Sequence, residues 1–458
     1  MVSAPPQLPQ NPPASSRTVW HRDHLPGILL AFTFLALGSR IAVVVWRHSV
    51  NFLFWDQWDF YTPLFNHASL WQIFIWQHGP HREGIGLVLD KFLLDWTHWS
   101  TRAESLLIVA AILSAAAVAV RLKAKLFGKL AYTDFFIPCL FLTLAQIDQL
   151  IGVPNPSYSA FPELLIMLYC LAWTLRNRPA RYGAILVLNF LLLYTGFGFF
   201  MGIVTLVLLA LDVRRSLRAP SSGATAPLTA LGLALISFAS FFYHYRWMPA
   251  VSCFVFPDPH PLNYSWFISL ELSLFVGIRR SLVLASVLGA GLMLALVTLL
   301  VWHGVRLWRA TYWADLDVTI VALLGFTLLF ALNAAIGRVC LGMPAAGQSS
   351  RYMGLLVPAF LATYLHLVSW RDGTKKAVAL TLFALIVLPN TLKMHRDPVE
   401  ENGKRAWQAC YLKVEDIDYC DRVTGYPTHW DPAATHLKEK LDYLKRNRLN
   451  LFSVPPGS

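Results

Sequence analysis

Residues 281–302 read SLVLASVLGAGLMLALVTLLVW, an unbroken apolar run without a single Asp, Glu, Lys or Arg. An α-helix rises about 1.5 Å per residue, so about 20 such residues cross the roughly 30 Å hydrocarbon core of a bilayer. Similar runs recur along the whole chain. This pattern predicts an all-α, polytopic membrane protein.

The composition agrees with that class. The chain has 458 residues, of which 56% are hydrophobic and only 14% are charged, whereas soluble proteins average about 25% charged residues. The formal net charge is +12. Lys and Arg form short clusters between the apolar runs, as expected for loops that set membrane topology. We therefore expect membrane lipids, and no nucleic acid, among the partners.

The apolar runs predict about eleven transmembrane helices within residues 26–392. Residues 1–25 are rich in Pro and Ser and predict a disordered cytoplasmic tail. Residues 393–458 predict a small polar segment that faces outward. The expected spans are approximately 26–46, 103–120, 131–151, 161–175, 183–195, 197–211, 228–246, 281–302, 316–336, 352–369 and 376–392.

The orientation follows from the Lys and Arg counts of alternate connections. One side receives 17 in short segments and the other receives 9 in longer loops. Because positive charge is retained in the cytoplasm, the N-terminus is predicted to be cytoplasmic. The loops 47–102, 247–280 and 337–351 and the C-terminus then face outward. For a bacterial cytoplasmic (inner) membrane, the outward side is the periplasm.

Two further local features bear on the fold. Residues 183–211 are apolar but break at Thr195–Gly198, which predicts two helices that meet at a glycine kink, or else one long tilted helix. Four of the six cysteines fall on the predicted outward side, where disulfides are permitted if that side is a periplasm. Cys410–Cys420 is the favoured pair, although sequence alone leaves the connectivity open.

The first outer loop contains the acidic motif FWDQWDFY at residues 54–61. Asp56 and Asp59 are three residues apart, so on a helical turn they share a face and can point into one cavity. Such carboxylates serve as a general base, a metal ligand or an acceptor for sugar hydroxyls. The alternative is an ordinary interfacial turn within an aromatic belt.

Two apolar stretches in the same loop predict helices that lie along the membrane. Residues 70–76 are too short to span, and residues 85–96 are amphipathic. Between them stands HGPHRE at 78–83, in which Arg82 is suited to a phosphate. His78 and His81, with Asp56 or Asp59, can hold a divalent metal such as Mg or Mn. Glu83 is a further candidate, and the alternative is a polar loop that meets lipid headgroups.

Arg351 is the main candidate for an anion site late in the chain. Ser349 and Ser350 can cap the next span, leaving a positive helix end beside the Arg351 guanidinium. The small residues 342–347 suit a lid. Arg279 and Arg280 precede another span and can play the same part. Alternatively, these arginines extend to lipid headgroups.

This layout resembles the GT-C superfamily of membrane glycosyltransferases, which use polyprenyl-phosphate-linked sugars on the outer face. Asp56 and Asp59 occupy the position of the catalytic acidic residue in that superfamily's first outer loop. His81–Arg82 and Ser350–Tyr352 are similar to motifs of an uncharacterised bacterial branch. The adjacent Asp-Glu pair of protein mannosyltransferases and the large outer domain of oligosaccharyltransferases are absent from the sequence.

The resemblance implies an inverting transfer in which Asp56 acts as general base. It assigns the donor phosphate to Arg351, Tyr352, Arg82 and His81, and it leaves the sugar and the glycan, lipid or protein acceptor open. Two other functions remain: a transporter or flippase for a lipid-linked or anionic solute, and an enzyme of the O-antigen ligase or polymerase type.

Overall fold

The computed structural model describes residues 17–218, 223–249, 251–278, 281–394 and 398–453. Within these ranges the only strands are β1 (Gln77–His78) and β2 (His81–Arg82), which form an antiparallel hairpin. The α-helices are α1 (Arg17–His48), α2 (Gln57–Phe60), α3 (Thr62–Phe65), α4 (Leu70–Phe74), α5 (Gly84–Trp96), α6 (Thr101–Phe127), α7 (Phe136–Phe141), α8 (Ala160–Trp173), α9 (Arg178–Leu193), α10 (Phe199–Arg218), α11 (Thr225–Ser240), α12 (Leu262–Leu272), α13 (Leu282–Arg309), α14 (Asp315–Arg338), α15 (Met343–Gly347), α16 (Met353–Val368), α17 (Gly373–Leu392), α18 (Pro398–Val414), α19 (Ile417–Thr424) and α20 (Leu437–Asn447).

Six helical segments in the described ranges are long and apolar enough to cross a membrane. They are His24–His48, Thr101–Phe127, Leu282–Arg309, Asp315–Leu341, Ser350–Val368 and Gly373–Leu392. The shorter helices α8 and α11 are also apolar. The fold is therefore that of a helical, multi-pass membrane protein; length and composition identify six candidate spans among the described residues and do not confirm the predicted eleven.

The continuous helix predicted at 131–151 is wrong. This segment is divided into Tyr132–Phe135, α7, Leu144–Gln146 and Asp148–Gly152. Pro138 in α7 lacks the N–H that would continue a helix through the preceding turn. Thr143 Oγ1 then accepts from Ala145 N (3.1 Å) and begins a separate turn. Apolar composition cannot reveal such local interruptions.

The predicted break at Thr195–Gly198 is confirmed, since α9 ends at Leu193 and α10 begins at Phe199. Gly196 has a φ of +51°, and its N–H donates to the carbonyl oxygen of Arg82 at 2.7 Å. A Cβ atom at this position would lie 1.9 Å from the carbonyl oxygen of Ser157. The break is thus a site where backbone of the first loop docks against two connections of the bundle.

The C-terminal segment packs on the first loop at one end of the bundle. Trp55 N donates to Thr428 O at 2.9 Å, and Asn450 N donates to His98 O at 2.9 Å. The rings of Phe52 and Trp407 stack with centroids 4.9 Å apart. These contacts confirm that the two regions share one side of the bundle, as predicted.

Both cysteine pairs of that side are disulfide-bonded. Cys410–Cys420, the favoured pair, is present, and Cys253–Cys340 joins the connection before α12 to the end of α14. Cys139 and Cys170 are free and buried.

Helices α4 and α5 of the first loop leave large apolar side chains exposed, as expected for helices at a membrane interface. Helix α4 begins at Ser69 with a capping box, in which Gln72 N donates to Ser69 Oγ and Gln72 Oε1 accepts from Ser69 N. Helix α5 leaves Phe92 and Trp96 exposed, while Asp90 is fully buried and accepts from Tyr61 Oη at 2.6 Å. An exposed apolar face on such a helix is suited to lipid.

Candidate functional site

A cavity of about 540 Å³ lies where the first loop, the break after α9, the start of α16 and the C-terminal segment meet. This volume is in the range of small-molecule sites. Its wall combines charged groups with aromatic rings. The polar and aromatic lining residues are Phe54, Trp55, Asp148, Tyr158, Phe197, Arg338, Ser349, Arg351, Tyr352, Glu400 and Tyr426.

Asp56 and Arg351, two predicted site residues, are in contact, and Arg351 lines this cavity. Arg351 Nη1 lies 3.2 Å from Asp56 Oδ2, although 295 positions separate them in the chain. Asp56 precedes α2, but its side chain makes no capping hydrogen bond with the helix. The side chains are 24% (Asp56) and 36% (Arg351) exposed, so a ligand can reach both.

A second cation reaches the cavity from the last turn of α14. The Arg338 guanidinium lies over the ring of Tyr352, 5.4 Å from its centroid, and both residues line the cavity. In the sequence, Arg338 is one of the nine Lys and Arg residues of the predicted outward loops and indicates only membrane topology. Its position in the last turn of an apolar span, next to a predicted outward loop, is the sequence feature that could have identified it as a site residue. Two arginines at one cavity form a site suited to a phosphate.

Arg82, by contrast, is a buried structural residue. Its guanidinium donates to the carbonyl oxygens of Ile75, Phe241 and Tyr243, and its Nε also donates to Phe241 O at 3.1 Å. Four of its five N–H donors are therefore used. Arg82 does not line the described cavity, so the structure gives no support to its predicted phosphate role.

His78, His81 and Glu83 lie behind the cavity wall rather than in it. The His81 ring packs against Tyr158 and Phe197, with centroids 5.2 and 4.9 Å away, and these two rings line the cavity. Burial raises the pKa of the Tyr158 phenol, so it faces the cavity as a neutral hydrogen-bond donor. A direct contact of His81 with a donor phosphate is not supported.

The predicted capping at the start of α16 is wrong in detail. Ser350 Oγ accepts from Asp148 N at 3.1 Å, and Ser349 makes no side-chain cap. Residues Ser350–Tyr352 form a 3-10 turn before α16. The predicted lid is largely the short helix α15. Arg279 and Arg280 lie outside the described residues.

Asp59 points away from Asp56, so the expectation that both acids enter one cavity is wrong. Asp59 Oδ1 accepts from Thr435 Oγ1 at 2.6 Å, and Oδ2 accepts from His429 Nε2 at 3.1 Å. Asp59 lines a second cavity, at the contact with the C-terminal segment. The motif forms only a four-residue helix, and the packing around it decides where each carboxylate points.

Acidification should weaken this contact. Burial raises the pKa of the Asp59 carboxyl, but hydrogen bonds from His429 and Thr435 outweigh burial and hold the pKa below its ordinary value of 3.8. A lowered folded-state pKa means that the stabilisation is present above about pH 4 and is lost as the pH falls through the folded value. We expect Asp59→Asn to lack this loss. Hydrogen exchange of the backbone amides of α20, followed between pH 3 and 6, measures the loss of stabilisation in the parent and in the variant.

Asp95→Asn is the matched control, because Asp95 lies in the same loop, is exposed and pairs with Lys91 four residues earlier. It should keep the pH dependence of the parent protein. Equal acid sensitivity in Asp59→Asn and the parent would contradict the assignment.

Comparisons with known proteins identify no relative: no family model matches the chain, and no curated protein or solved structure is similar to it. The fold defines a multi-pass helical membrane protein with a polar cavity at one end of the bundle.

Proposed function

We propose that the protein is a membrane glycosyltransferase that moves a sugar from a polyprenyl-phosphate donor to an acceptor at the membrane face bearing the first loop. The observation that carries this proposal is the contact of Asp56 with Arg351, a residue that lines the cavity. It places a carboxylate, the group needed to receive an acceptor proton, beside a guanidinium, the group suited to a leaving phosphate.

The chemistry divides between the two groups. The acceptor oxygen forms a bond to the anomeric carbon, its proton passes to Asp56, and the bond from that carbon to the phosphate oxygen breaks. Arg351 and Arg338 stabilise the charge that grows on the phosphate. The lipid phosphate leaves without a strong general acid. Inversion follows from this single displacement.

Trp55 and Tyr426 at the cavity wall supply aromatic faces for the sugar.

The two disulfides support placing this face in an oxidising compartment. For a bacterial cytoplasmic membrane that compartment is the periplasm. The C-terminal segment is then periplasmic, and the N-terminus is cytoplasmic.

Arg351→Lys tests the phosphate assignment. Lys keeps the positive charge but loses the planar two-pronged donor. A charge-assisted hydrogen bond is worth about 1.5–3 kcal/mol, so we expect donor efficiency to fall by about 10- to 150-fold in Arg351→Ala and by less in Arg351→Lys. The measurement is polyprenyl phosphate released from a panel of synthetic polyprenyl-phosphate sugars by protein in nanodiscs.

Arg422→Lys is the control, because Arg422 is exposed on α19, away from the cavity. It should match the parent. If Arg351→Lys and Arg351→Ala both stay within about threefold of the parent at equal expression, the phosphate assignment fails. Movement of intact donor across the bilayer without release of polyprenyl phosphate would instead favour a flippase.

A further inference from the structure

A cluster of two histidines and a glutamate lies behind the cavity wall. His78 and His81 are partners across the β1–β2 hairpin, whose turn is Gly79-Pro80, with Gly79 at a φ of +57°. Directly opposite residues of a hairpin present their side chains on the same face. The hairpin therefore brings the two imidazoles together, with ring centroids 5.9 Å apart.

Glu83 completes the cluster from the start of α5. One ligand atom from each of the three residues lies within 4.8 Å of the others, and His78 Nδ1 is 3.8 Å from Glu83 Oε1. Three ligands bound at zinc distances are separated by about 3.4 Å. Small side-chain rotations bring this set to metal-binding geometry.

The cluster has buried polar atoms that the described protein does not satisfy. Both ring nitrogens of His81, together with His78 Nδ1 and Glu83 Oε1, have no hydrogen-bond partner among the described residues. His81 is 6% exposed and Glu83 is 0% exposed. A buried polar atom without a partner costs roughly 1–3 kcal/mol, so several in one place indicate that something else binds them.

We infer that His78, His81 and Glu83 bind one zinc ion. Two imidazoles and one carboxylate match the donors of zinc sites with three protein ligands and one open position. Imidazole nitrogen disfavours Mg²⁺, which was one of the metals expected from sequence, and Glu83 replaces Asp56 or Asp59 in the ligand set. Zinc would fix the hairpin behind Tyr158 and Phe197, two rings of the cavity wall.

The surroundings of the cluster support a metal. Asn155 Nδ2 donates to Glu83 Oε2 at 3.0 Å, and Ser157 Oγ donates to the Glu83 carbonyl oxygen, so the carboxylate is oriented from outside the cluster.

The test is metal content and does not require turnover, so its outcome is independent of the proposed glycosyl transfer. The full chain, purified without a histidine tag, is stripped with a chelator and dialysed against zinc or magnesium. We expect one zinc per chain, unaffected by excess magnesium. Zinc should also raise the melting temperature, because a ligand that binds only the folded state stabilises it.

Glu83→Gln and His78→Ala should each lose most of the bound zinc and the thermal shift. Glu83→Gln retains a carbonyl that accepts from Asn155, and His78 is partly exposed, so both variants are suited to folding. His260→Ala is the control, since His260 is an exposed histidine before α12, and it should retain the zinc. A parent that takes up no zinc, or Glu83→Gln and His78→Ala variants that bind zinc as the parent does, would overturn the inference.

Discussion

Replacing Asp56 by Asn is expected to reduce sugar transfer by about 10²- to 10⁴-fold, the range that a general base typically contributes. Asn has nearly the same size and can still accept a hydrogen bond from Arg351, so the cavity should persist. Donor binding should stay close to that of the parent, because the proposed site holds the phosphate through Arg351 and Arg338. Single-turnover transfer rates and donor binding, measured separately in nanodiscs, distinguish the two effects.

Asp95→Asn serves as the control for charge removal in the same loop. It should transfer sugar at the parent's rate. An Asp56→Asn variant that retains full transfer would exclude Asp56 as the base. One that retains transport of an intact lipid-linked or anionic solute would support the transporter.

Gly196→Ala is expected to cause a large loss of stability, above about 4 kcal/mol. Its Cβ would lie 1.9 Å from the carbonyl oxygen of Ser157, a backbone atom that cannot rotate away. The φ of +51° adds strain of about 1–2 kcal/mol for a residue with a side chain. We expect little folded protein by fluorescence-detected size-exclusion chromatography, because the first loop can no longer dock on the break.

Gly128→Ala separates the clash from the backbone strain. Gly128 also has a positive φ, of +74°, but a Cβ there meets no atom within 4 Å. This variant should lose only about 1–2 kcal/mol. If Gly196→Ala and Gly128→Ala have equal melting temperatures, the close backbone approach at Gly196 does not support the fold.

Local patterns predicted the features that depend on neighbouring residues. Uncharged apolar runs indicated a helical membrane protein, and Thr195–Gly198 indicated the break, because hydrophobic length and glycine act locally. The amphipathic period of residues 85–96 indicated α5 for the same reason. Even so, Pro138 and Thr143 interrupt a run whose composition alone predicted a span.

Charged residues were harder to interpret, because their roles depend on which distant elements pack together. Asp56 and Arg351 were singled out separately, but only the folded chain brings them into contact. Asp59 accepts hydrogen bonds from His429 and Thr435 of the C-terminal segment, and Arg82 donates hydrogen bonds to backbone carbonyl oxygens. Apart from Ile75, a partner of Arg82, these groups lie far from Asp59 and Arg82 in sequence.

The sequence by itself thus determined the class of fold and several candidate groups, because hydrophobicity and helical periodicity are properties of short segments. Only the tertiary structure decided which candidates share a site. In the folded protein, Arg338 lines the cavity, and Cys253 is bonded to Cys340. Glu83, rather than Asp56 or Asp59, lies beside His78 and His81. The physical reason is that a polar side chain is stabilised by whichever partner the packed backbone brings within hydrogen-bonding distance.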